Sequence, residues 1–369
     1  MRVLITGGAG FIGCRLAARL VARGDEVVVV DNLHPQVHHG AGRPLDLTEV
    51  ATLLPLDVTD PDQVDRALRL AGPVDTIVHL AAETGTGQSL TEASRHGRVN
   101  VVGTTELVDA LTRAELRPSR VVLSSSRAVY GEGTWIAADG TRFSPAPRRD
   151  AQLARGEWDV RGADGSIATP APHAADRVWP RPTNVYAATK LAQEHVLSAW
   201  CSSFDVPLGV LRLQNVYGPG QALANAYTGV LTYFARQIAS GEQVEVYEGG
   251  GIVRDFVFVD DVVDALVTAL DRAGADAPVV DIGSGQPATL LDVATMMCDI
   301  AAVGAPVVVD RYRLGDVRSA WAAVDAAEAY YGWKPATNLR DGLSRLLDWA
   351  VAHVADGGPA SPVPTGPRQ

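Results

Sequence analysis

Cysteine is scarce in this sequence, and the spacing of the few that occur excludes several kinds of site. Among 369 residues the chain has only Cys14, Cys201 and Cys298. They are odd in number, far apart, and never spaced as C-x-x-C, the arrangement typical of metal knuckles and dithiol redox sites. We interpret them as small apolar or partly buried side chains, and we expect no metal ion.

Long apolar runs and excess positive charge are absent as well. No stretch reaches the roughly 20 apolar residues needed to span a bilayer, and no basic leader with a cleavage site precedes the first predicted strand. The formal net charge is −11 at pH 7, which argues against a general surface for nucleic acid or anionic membranes. We expect a cytoplasmic protein with neither as a partner. An anionic ligand would need positive side chains placed locally.

Strands and helices alternate through the first part of the chain. Short apolar runs rich in β-branched residues predict strands, and apolar residues at helical spacing predict the helices between them. The predicted strands lie at 2–6, 27–30, 53–57, 75–80, 120–124 and 208–213, with helices at 11–23, 61–71, 90–114 and 186–202. Such alternation predicts right-handed crossovers and a parallel sheet covered on both faces. The predicted fold class is α/β, with a Rossmann-type doubly wound sheet.

A glycine-rich turn joins the first predicted strand to the first predicted helix. Thr6–Gly13 reads TGGAGFIG, which fits both the G-x-x-G-x-x-G and the shifted G-x-G-x-x-G spacing. Without Cβ atoms the turn can be tight, and the backbone can approach a pyrophosphate that faces the free N–H groups of the helix N-terminus. The pattern predicts a dinucleotide site held largely by backbone atoms.

An acidic residue after the second predicted strand supports this interpretation. Asp31 comes 18 residues after Gly13, near the offset at which a carboxylate bonds the ribose 2′-hydroxyl. The next residues are Asn32-Leu33-His34, so no arginine follows at once to hold a 2′-phosphate. We therefore expect NAD rather than NADP as the cofactor.

Length and pattern together predict two domains. We expect an NAD-binding domain at 1–215 and a smaller C-terminal α/β domain, which binds substrate, at 216–356. Residues 252–282 are expected to pack back on the first domain, and the Pro- and Gly-rich stretch 357–369 is predicted to be a disordered tail. The long segment 131–183 interrupts the alternation, and it is either a substrate lid or a surface decoration.

A tyrosine and a lysine share one face of a predicted helix. Tyr186 and Lys190 are four residues apart, so they lie side by side on a helix. An ammonium beside a phenol favours the phenolate and lowers a pKa that starts near 10. Ser124–Ser126 follow a predicted strand upstream, and a hydroxyl there can bond the same substrate oxygen. With the glycine turn, this set predicts hydride chemistry on a hydroxyl or ketone.

These motifs, taken in order, resemble the extended short-chain dehydrogenases/reductases of the nucleotide-sugar epimerase and dehydratase group. The resemblance covers nearly the whole chain except 131–183 and the tail. It rests on TGGAGFIG, Asp31-Asn32, Asp57-Val58, HLAA at His79–Ala82, Asn100 in VNVVGT, SSSRAVYG at Ser124–Gly131, Tyr186 with Lys190, NVYGP at Asn215–Pro219, RDFVFVDD at Arg254–Asp261 and RLGDVR at Arg313–Arg318. It implies NAD as cofactor and a nucleotide sugar as substrate.

The resemblance also implies roles for individual residues. Ser126 and Tyr186 match the catalytic serine and base, and Lys190 matches the lysine that activates the base and holds the nicotinamide ribose. NAD contacts are implied for Gly7, Gly10, Phe11, Ile12, Gly13, Asp31, Asn32, Asp57, Val58, Leu80, Ala81, Ala82, Asn100, Tyr186 and Lys190. Substrate contacts are implied for Glu83, Gln88, Ser125, Ser126, Asn215, Arg254 and Arg313, the last three at the diphosphate, which the forks of arginine suit.

The residues after Ser126 narrow the reaction. In related dehydratases and decarboxylating enzymes acidic residues stand there to move a second proton, whereas this chain has Arg127 and Ala128. What remains is 4-epimerisation or 4-keto reduction. The segments Ala81–Ser89 and Gly218–Val230 resemble the dTDP-L-rhamnose 4-epimerase subgroup. We therefore expect an NAD-dependent 4-epimerase of a nucleotide-activated hexose, with dTDP-L-rhamnose favoured and a UDP-hexose next.

Two alternatives share the same residues. An NAD(P)H-dependent 4-ketoreductase would use the same serine, tyrosine and lysine, and a non-catalytic sensor of NAD or a nucleotide sugar would keep the same fold. The resemblance also implies a homodimer, in which the predicted helices at 90–114 and 186–202 pair across a two-fold axis.

Overall fold

Seven parallel strands form the centre of the molecule. The computed structural model describes residues 1–38, 47, 51–223 and 229–354. The central strands are β1 (Arg2–Thr6), β2 (Glu26–Val30), β3 (Thr52–Leu54), β4 (Thr76–His79), β5 (Arg120–Ser126), β9 (Leu208–Leu213) and β13 (Val280–Ile282). Their spatial order is β13-β9-β5-β4-β1-β2-β3, and every neighbouring pair is parallel. The order reverses at β1, so the sheet is doubly wound and the predicted fold class is confirmed.

Helices cover both faces of this sheet because its strands are apolar on both sides. These helices include α1 (Phe11–Ala22), α2 (Pro61–Ala71), α4 (Gly103–Arg113), α6 (Val185–Ser203) and α8 (Val259–Arg272). Successive strand residues point to opposite faces. Ile5 accordingly packs in one core with Leu16 of α1, whereas Leu4 packs in the other with Leu107 of α4 and Leu197 of α6.

The helix predicted from 90 to 114 is observed from 93 to 113, but it is not a regular α-helix throughout. A short helix α3 (Ala93–His96) leads into a π-helical turn at Gly97–Val102, and α4 follows. A π-turn holds more residues than an α-turn and occurs often at functional sites. Here it carries Asn100 into the interior, where this residue is fully buried. The glycine that opens α4, Gly103, leaves no space for a Cβ, which would lie 2.9 Å from the Val58 side chain.

The long segment 131–183 folds into a small unit of its own. It contains β6 (Trp135–Ile136), β7 (Arg142–Phe143), α5 (Asp150–Leu153) and β8 (Thr169–Pro170), with β6 between β7 and β8 in an antiparallel sheet. Trp135 is buried against Val160 and Ala168 in a satellite core. A bridge between His173 and Ala322 joins this unit to the C-terminal part of the chain.

The C-terminal part forms a second, smaller α/β unit. Its strands are β10 (Asn215–Tyr217), β11 (Glu245–Val246), β12 (Val253–Phe258), β14 (Pro287–Thr289), β15 (Val307–Val308) and β16 (Ser319–Ala320), and its helices are α7 (Val230–Ala239), α9 (Leu290–Ile300) and α11 (Leu339–His353). Between them in the chain, α10 (Asp325–Tyr331) packs in the core of the large sheet. Phe234, Phe258 and Leu343 lie in the core of the smaller unit. The chain returns from β12 through α8 to β13 in the large sheet. The predicted tail at 357–369 lies outside the described residues.

The described residues contain neither a membrane-spanning helix nor a cluster of metal-ligating side chains. No helix among them has the length and apolar character to cross a membrane. No group of three or more His, Cys, Asp or Glu side chains among them is arranged to hold a metal ion.

Candidate active site

The glycine turn leaves room for a ligand at the start of α1. Gly7 has a φ of 67°, and a Cβ there would lie 2.6 Å from the backbone nitrogen of Ala81. A Cβ on Gly13 would lie 2.5 Å from the Cα of Gly8, so α1 packs closely against the turn. Gly10 is the N-cap residue and has no side chain to bond the N–H groups that follow. The first turn of α1 therefore offers free N–H groups, as an anion site requires.

Polar side chains follow β2 and β3 at the same edge of the sheet. One carboxylate oxygen of Asp31 accepts from the N–H of Ala9 at 3.1 Å, and the other accepts from the N–H two residues further on at 2.9 Å. The Asn32 amide donates to Asp57 at 3.0 Å. Burial would raise the pKa of Asp57, but hydrogen bonds from Asn32 and Thr59 hold that pKa below its usual value. These side chains lie near the glycine turn, and their contacts with NAD stay predictions.

A buried histidine ends β4 and fixes the backbone that follows it. Nδ1 of His79 lies 2.7 Å from the Thr6 hydroxyl, and Nε2 lies 3.0 Å from the Thr104 hydroxyl. Burial, together with the nearby charge of Lys190, lowers the pKa of His79 to about 3, so its ring is neutral. The neutral ring thereby holds the start of Leu80–Ala82 at the edge of the sheet, facing the glycine turn.

Ser126 and Tyr186 meet at this edge. β5 continues to Ser126, two residues beyond the predicted end of the strand, and the Ser126 hydroxyl accepts from the N–H of Ala128 at 3.2 Å. Tyr186 lies in the first turn of α6, where the N-cap residue Asn184 accepts from the N–H of Ala187 at 2.9 Å. The Ser126 hydroxyl lies close enough to the Tyr186 phenol to lower its pKa, and both side chains are partly exposed. Such a pair can bind and deprotonate one hydroxyl group.

Opposing effects set the pKa of the Tyr186 phenol. Burial raises it, and this effect prevails. The Ser126 hydroxyl and the positive charge of Arg127 both lower it. The sequence does not indicate that the charge of Arg127 acts on the pKa of Tyr186, because the two residues are far apart in the chain and meet only in the fold.

Lys190 lies on the same helix as Tyr186, but its ammonium forms hydrogen bonds with other residues. Its ammonium donates to the carbonyl of Ser124 at 2.8 Å and also to the Gln193 side chain. Burial lowers the pKa of Lys190 to about 7, against the opposing charge of Glu194. The lysine is therefore buried beside the end of β5, and its activation of Tyr186 stays a prediction.

Ser125 faces away from the open site, into a buried polar network. Its hydroxyl donates to Glu194, which also receives two bonds from Arg212, at 2.7 and 3.0 Å. The Arg212 guanidinium lies 4.8 Å from the centre of the Tyr130 ring, and the Tyr130 hydroxyl donates to Asp281 at 2.8 Å. Burial raises the pKa of Asp281 to about 7. The structure does not bring Ser125 to the site, because alternate strand residues face opposite sides. The network instead anchors α6 to the sheet.

Asn100 holds two parts of the site together. Its side chain accepts from the N–H of Glu83 at 2.7 Å and donates to the carbonyl of the same residue at 3.0 Å. It also donates to the Thr189 hydroxyl at 2.9 Å. Asn100 thus fixes the backbone after β4 to α6, one turn beyond the tyrosine. Its predicted contact with NAD stays a prediction.

The side chains of Glu83 and Gln88 are engaged with other side chains. The Glu83 carboxylate accepts from Arg95 at 2.8 Å. Gln88 is buried, and its amide exchanges hydrogen bonds with Gln36 and donates to Glu92 at 3.0 Å. Their predicted contacts with the hexose stay predictions, and a ligand would have to compete with these bonds.

A buried arginine stands on β12 without an ion pair. Arg254 is 5% exposed, and its guanidinium donates a hydrogen bond to the carbonyl of Val253 at 2.8 Å. No carboxylate in the described part of the chain lies within ion-pair distance of it. Burial lowers the pKa of Arg254, and the more distant charges of Asp316 and Glu248 oppose this effect. A buried, unpaired guanidinium is suited to bind an anionic ligand.

The charge of a second arginine, Arg127, lies close enough to Arg254 to act on it. The Nε of Arg127 donates to the side-chain oxygen of Asn215 at 3.2 Å. Burial and the positive charge of Arg254 lower the pKa of Arg127 to about 9. Arg313 is partly exposed, with its guanidinium 5.8 Å from the centre of the Tyr247 ring.

The doubly wound sheet, the glycine turn and the serine, tyrosine and lysine define a nicotinamide-dependent enzyme of the short-chain dehydrogenase/reductase class. The profile described as the NAD dependent epimerase/dehydratase family matches residues 3–150 and 162–283. The chain belongs to that family, and NAD is its cofactor. The residues between the two matched parts lie in the 131–183 segment.

Individual relatives agree with this assignment. A dTDP-L-rhamnose 4-epimerase from Burkholderia thailandensis is 50% identical to this chain over 353 residues, 96% of each chain. Among solved structures, the UDP-glucose 4-epimerase of Thermotoga maritima with UDP-glucose has a TM-score of 0.77 at 27% identity, covering 95% of this chain and 98% of that one. The UDP-glucose 4-epimerase of Thermus thermophilus in complex with NAD has a TM-score of 0.74 at 29% identity, covering 95% and 99%. The predicted family is confirmed.

Proposed function

We propose that this protein is an NAD-dependent 4-epimerase of a nucleotide-activated hexose. The observation that carries the proposal is the juxtaposition of Ser126 and Tyr186, which are both partly exposed at the end of β5 and the start of α6. A dTDP-activated 6-deoxyhexose such as dTDP-L-rhamnose is the favoured substrate, because the relative with that name is 50% identical over 96% of both chains. A UDP-hexose comes second, supported by the UDP-glucose 4-epimerases among the similar structures.

The residues that would hold NAD fit the parts of the cofactor. The glycine turn and the free N–H groups of α1 would hold the pyrophosphate. Asp31 would accept hydrogen bonds from the adenosine ribose, and Lys190 and Tyr186 would hold the nicotinamide ribose. When bound, NAD supplies a hydride acceptor that later returns the same hydride.

Tyr186 and Ser126 would carry the proton through the cycle. Tyr186, as the phenolate, takes the proton of the sugar 4-hydroxyl while Ser126 donates a hydrogen bond to the same oxygen. C4 loses its hydride at this step and becomes a ketone. The 4-keto sugar then turns over in the pocket, C4 receives the hydride on its other face, and Tyr186 returns the proton to the oxygen. No electron is gained or lost overall.

The diphosphate of the substrate is proposed to lie against Arg254, Asn215 and Arg313. Arg254 is buried without an ion pair in the described part of the chain, so it offers an uncompensated charge to an anion. This local charge supports binding of an anionic substrate by a chain whose net charge is −11. The positive charge that matters is local and enclosed, where solvent screens it weakly.

We also propose that the protein is a cytoplasmic homodimer. The proposed contact surface is formed by α4 and α6, with Val102 and Leu90 as exposed apolar side chains at its border. Closed two-fold dimers are the commonest oligomers of soluble proteins. Sedimentation at working concentration tests the assembly, and the mass of a monomer would contradict it.

The first experiment identifies the cofactor and the substrate together. The purified protein is denatured and the released nicotinamide identified, and fresh enzyme is incubated with dTDP-L-rhamnose, UDP-glucose and UDP-glucuronate without added cofactor. Bound NAD and conversion to a C4 epimer, followed by chromatography and NMR, is the expected result. A protein that converts none of them, yet oxidises NAD(P)H with a 4-keto sugar nucleotide, would be a ketoreductase instead.

A further inference from the structure

Arg127 lies at the centre of the site, and its guanidinium is mostly uncommitted. It directly follows Ser126 in the chain and is partly exposed, like Ser126 and Tyr186. Its Nε donates to the side-chain oxygen of Asn215 at 3.2 Å. In the residues that the structure describes, neither of its terminal amino groups donates a hydrogen bond, and no carboxylate lies within ion-pair distance.

Arg148 and Arg212, whose side chains are 2% and 6% exposed, differ in this respect from the buried Arg254 and the partly exposed Arg127. Arg148 contacts Glu248 at 2.5 Å, and Arg212 binds Glu194 through two bonds, the shorter being 2.7 Å. Buried charges in proteins are normally paired in this way, because an unpaired buried charge is costly. Two neighbouring cations without a partner therefore mark a place prepared for an anion.

We propose that Arg127 is a substrate-binding residue that holds the phosphate nearest the sugar, opposite Arg254. This inference rests on the proposed function and goes beyond the residues assigned to the diphosphate there. Arg127 follows the serine that bonds the sugar oxygen, so it lies at the sugar end of the ligand. Asn215 on β10 and Arg254 on β12 come from paired strands. The β-phosphate of a nucleoside diphosphate sugar is the group that lies between the hexose and the rest of the nucleotide.

The hydrogen bond to Asn215 prepares Arg127 for this contact. With Nε engaged, the two terminal amino groups remain free and coplanar, and this fork matches two phosphate oxygens. A neutral hexose hydroxyl would not relieve the repulsion between the two guanidinium groups, whereas a diphosphate would. The same positive charge also opposes the rise that burial causes in the pKa of Tyr186.

Calorimetry with dTDP and dTMP tests this assignment without requiring turnover. The variants are Arg127→Met, Arg127→Lys and, as a control, Arg69→Met, which changes an exposed arginine on α2. We expect Arg127→Met to weaken dTDP binding by about 10-fold or more, the loss of a charge-assisted pair of hydrogen bonds. Binding of dTMP, which lacks the β-phosphate, should change by less than about 2-fold, within the range of a neutral surface change. Arg127→Lys should lie between wild type and Arg127→Met.

A purely structural role for Arg127 would give a different pattern. If the residue only supported Asn215, its loss would weaken dTDP and dTMP equally and would lower the Tm of the free protein. Relief of the repulsion with Arg254 should instead raise that Tm, while retained NAD shows that the fold is intact. Equal losses for the two nucleotides, or unchanged dTDP binding, would overturn the inference. Epimerisation of sugar nucleotides by the wild-type protein tests the proposed function separately. If the wild type epimerises them, the proposed function holds whether or not the inference about Arg127 does.

Discussion

Replacing Arg148 by methionine is expected to destabilise the protein strongly, because two glutamates in its interior would lose their nearest cation, with Arg318 remaining at 3.8 Å from Glu248. The guanidinium lies 2.5 Å from Glu248 and 3.6 Å from Glu132, and all three side chains are 3% exposed or less. It also donates to the carbonyls of Trp158 and Asp316. Breaking a buried pair by removing one partner costs about 3–5 kcal/mol. We expect the free energy of unfolding to fall by that amount.

Urea unfolding followed by tryptophan fluorescence and circular dichroism measures this loss. Arg155→Met is the matched control in the same segment, because its partner is also a glutamate, Glu157, but the two side chains are 60% and 52% exposed; its unfolding midpoint should not move. The double variant Arg148→Met/Glu248→Gln should recover part of the loss, since one unpaired charge is removed. A loss below about 1 kcal/mol for Arg148→Met, the size of an exposed pair, would refute the reasoning.

The destabilisation should also depend on pH in a defined direction. Burial already raises the pKa of Glu132, and the charge of Arg148 opposes this effect. Without the arginine the pKa rises further, so the native state binds more protons than the unfolded chain above the usual pKa of glutamate. Stability falls as pH rises wherever the native state binds more protons. The loss should therefore be largest near neutral pH and shrink towards about pH 5; an equal loss at both would contradict the explanation.

Three further predictions concern the active site. Gly13→Ala should abolish retention of NAD, because its Cβ would lie 2.5 Å from the Cα of Gly8 and push α1 away from the glycine turn. The amount of NAD retained is measured as the nicotinamide that the variant and the wild type release on denaturation. Tyr186→Phe should lower turnover by about 10²- to 10⁴-fold with dTDP binding retained, and an unaffected rate would exclude its proton transfer. Lys190→Met should flatten the dependence of stability on pH. The pKa of Lys190 in the folded protein is about 7, so between about pH 7 and 10 the unfolded chain binds more protons than the native state. The free energy of unfolding of the wild type should therefore rise with pH in this range. A variant whose free energy of unfolding rises with pH as steeply as that of the wild type would contradict this.

Local sequence signals predicted the regular elements well. The predicted α2 and β9 have the observed bounds, 61–71 and 208–213. Both are set by short-range physics: α2 begins with proline after the capping residue Asp60 and ends at Gly72, and β9 is an apolar run. The glycine turn was equally visible, because its conformation and close packing require residues without Cβ atoms.

Side-chain partners far apart in the sequence could not be predicted. The π-turn points Asn100 inward, where it forms hydrogen bonds with Glu83 and Thr189. The apolar periodicity of the sequence did not indicate this turn and predicted a regular helix. The pairing of Arg148 with Glu248 joins residues 100 positions apart. Arg212 is a charged residue within the apolar strand β9, and such a residue indicates that a buried partner exists. The sequence does not identify that partner as Glu194.

The enclosed arginines separate into two kinds by their partners, and this separation connects the fold to its function. Arg148 and Arg212 each meet a glutamate, so their charges are neutralised within the protein and serve to join the long segment and α6 to the rest. Arg127 and Arg254 have no such partner in the described part of the chain. Because the unpaired charge of the buried Arg254 costs free energy in the empty protein, its retention close to the charge of Arg127 favours a function in which an anionic substrate completes the pairing.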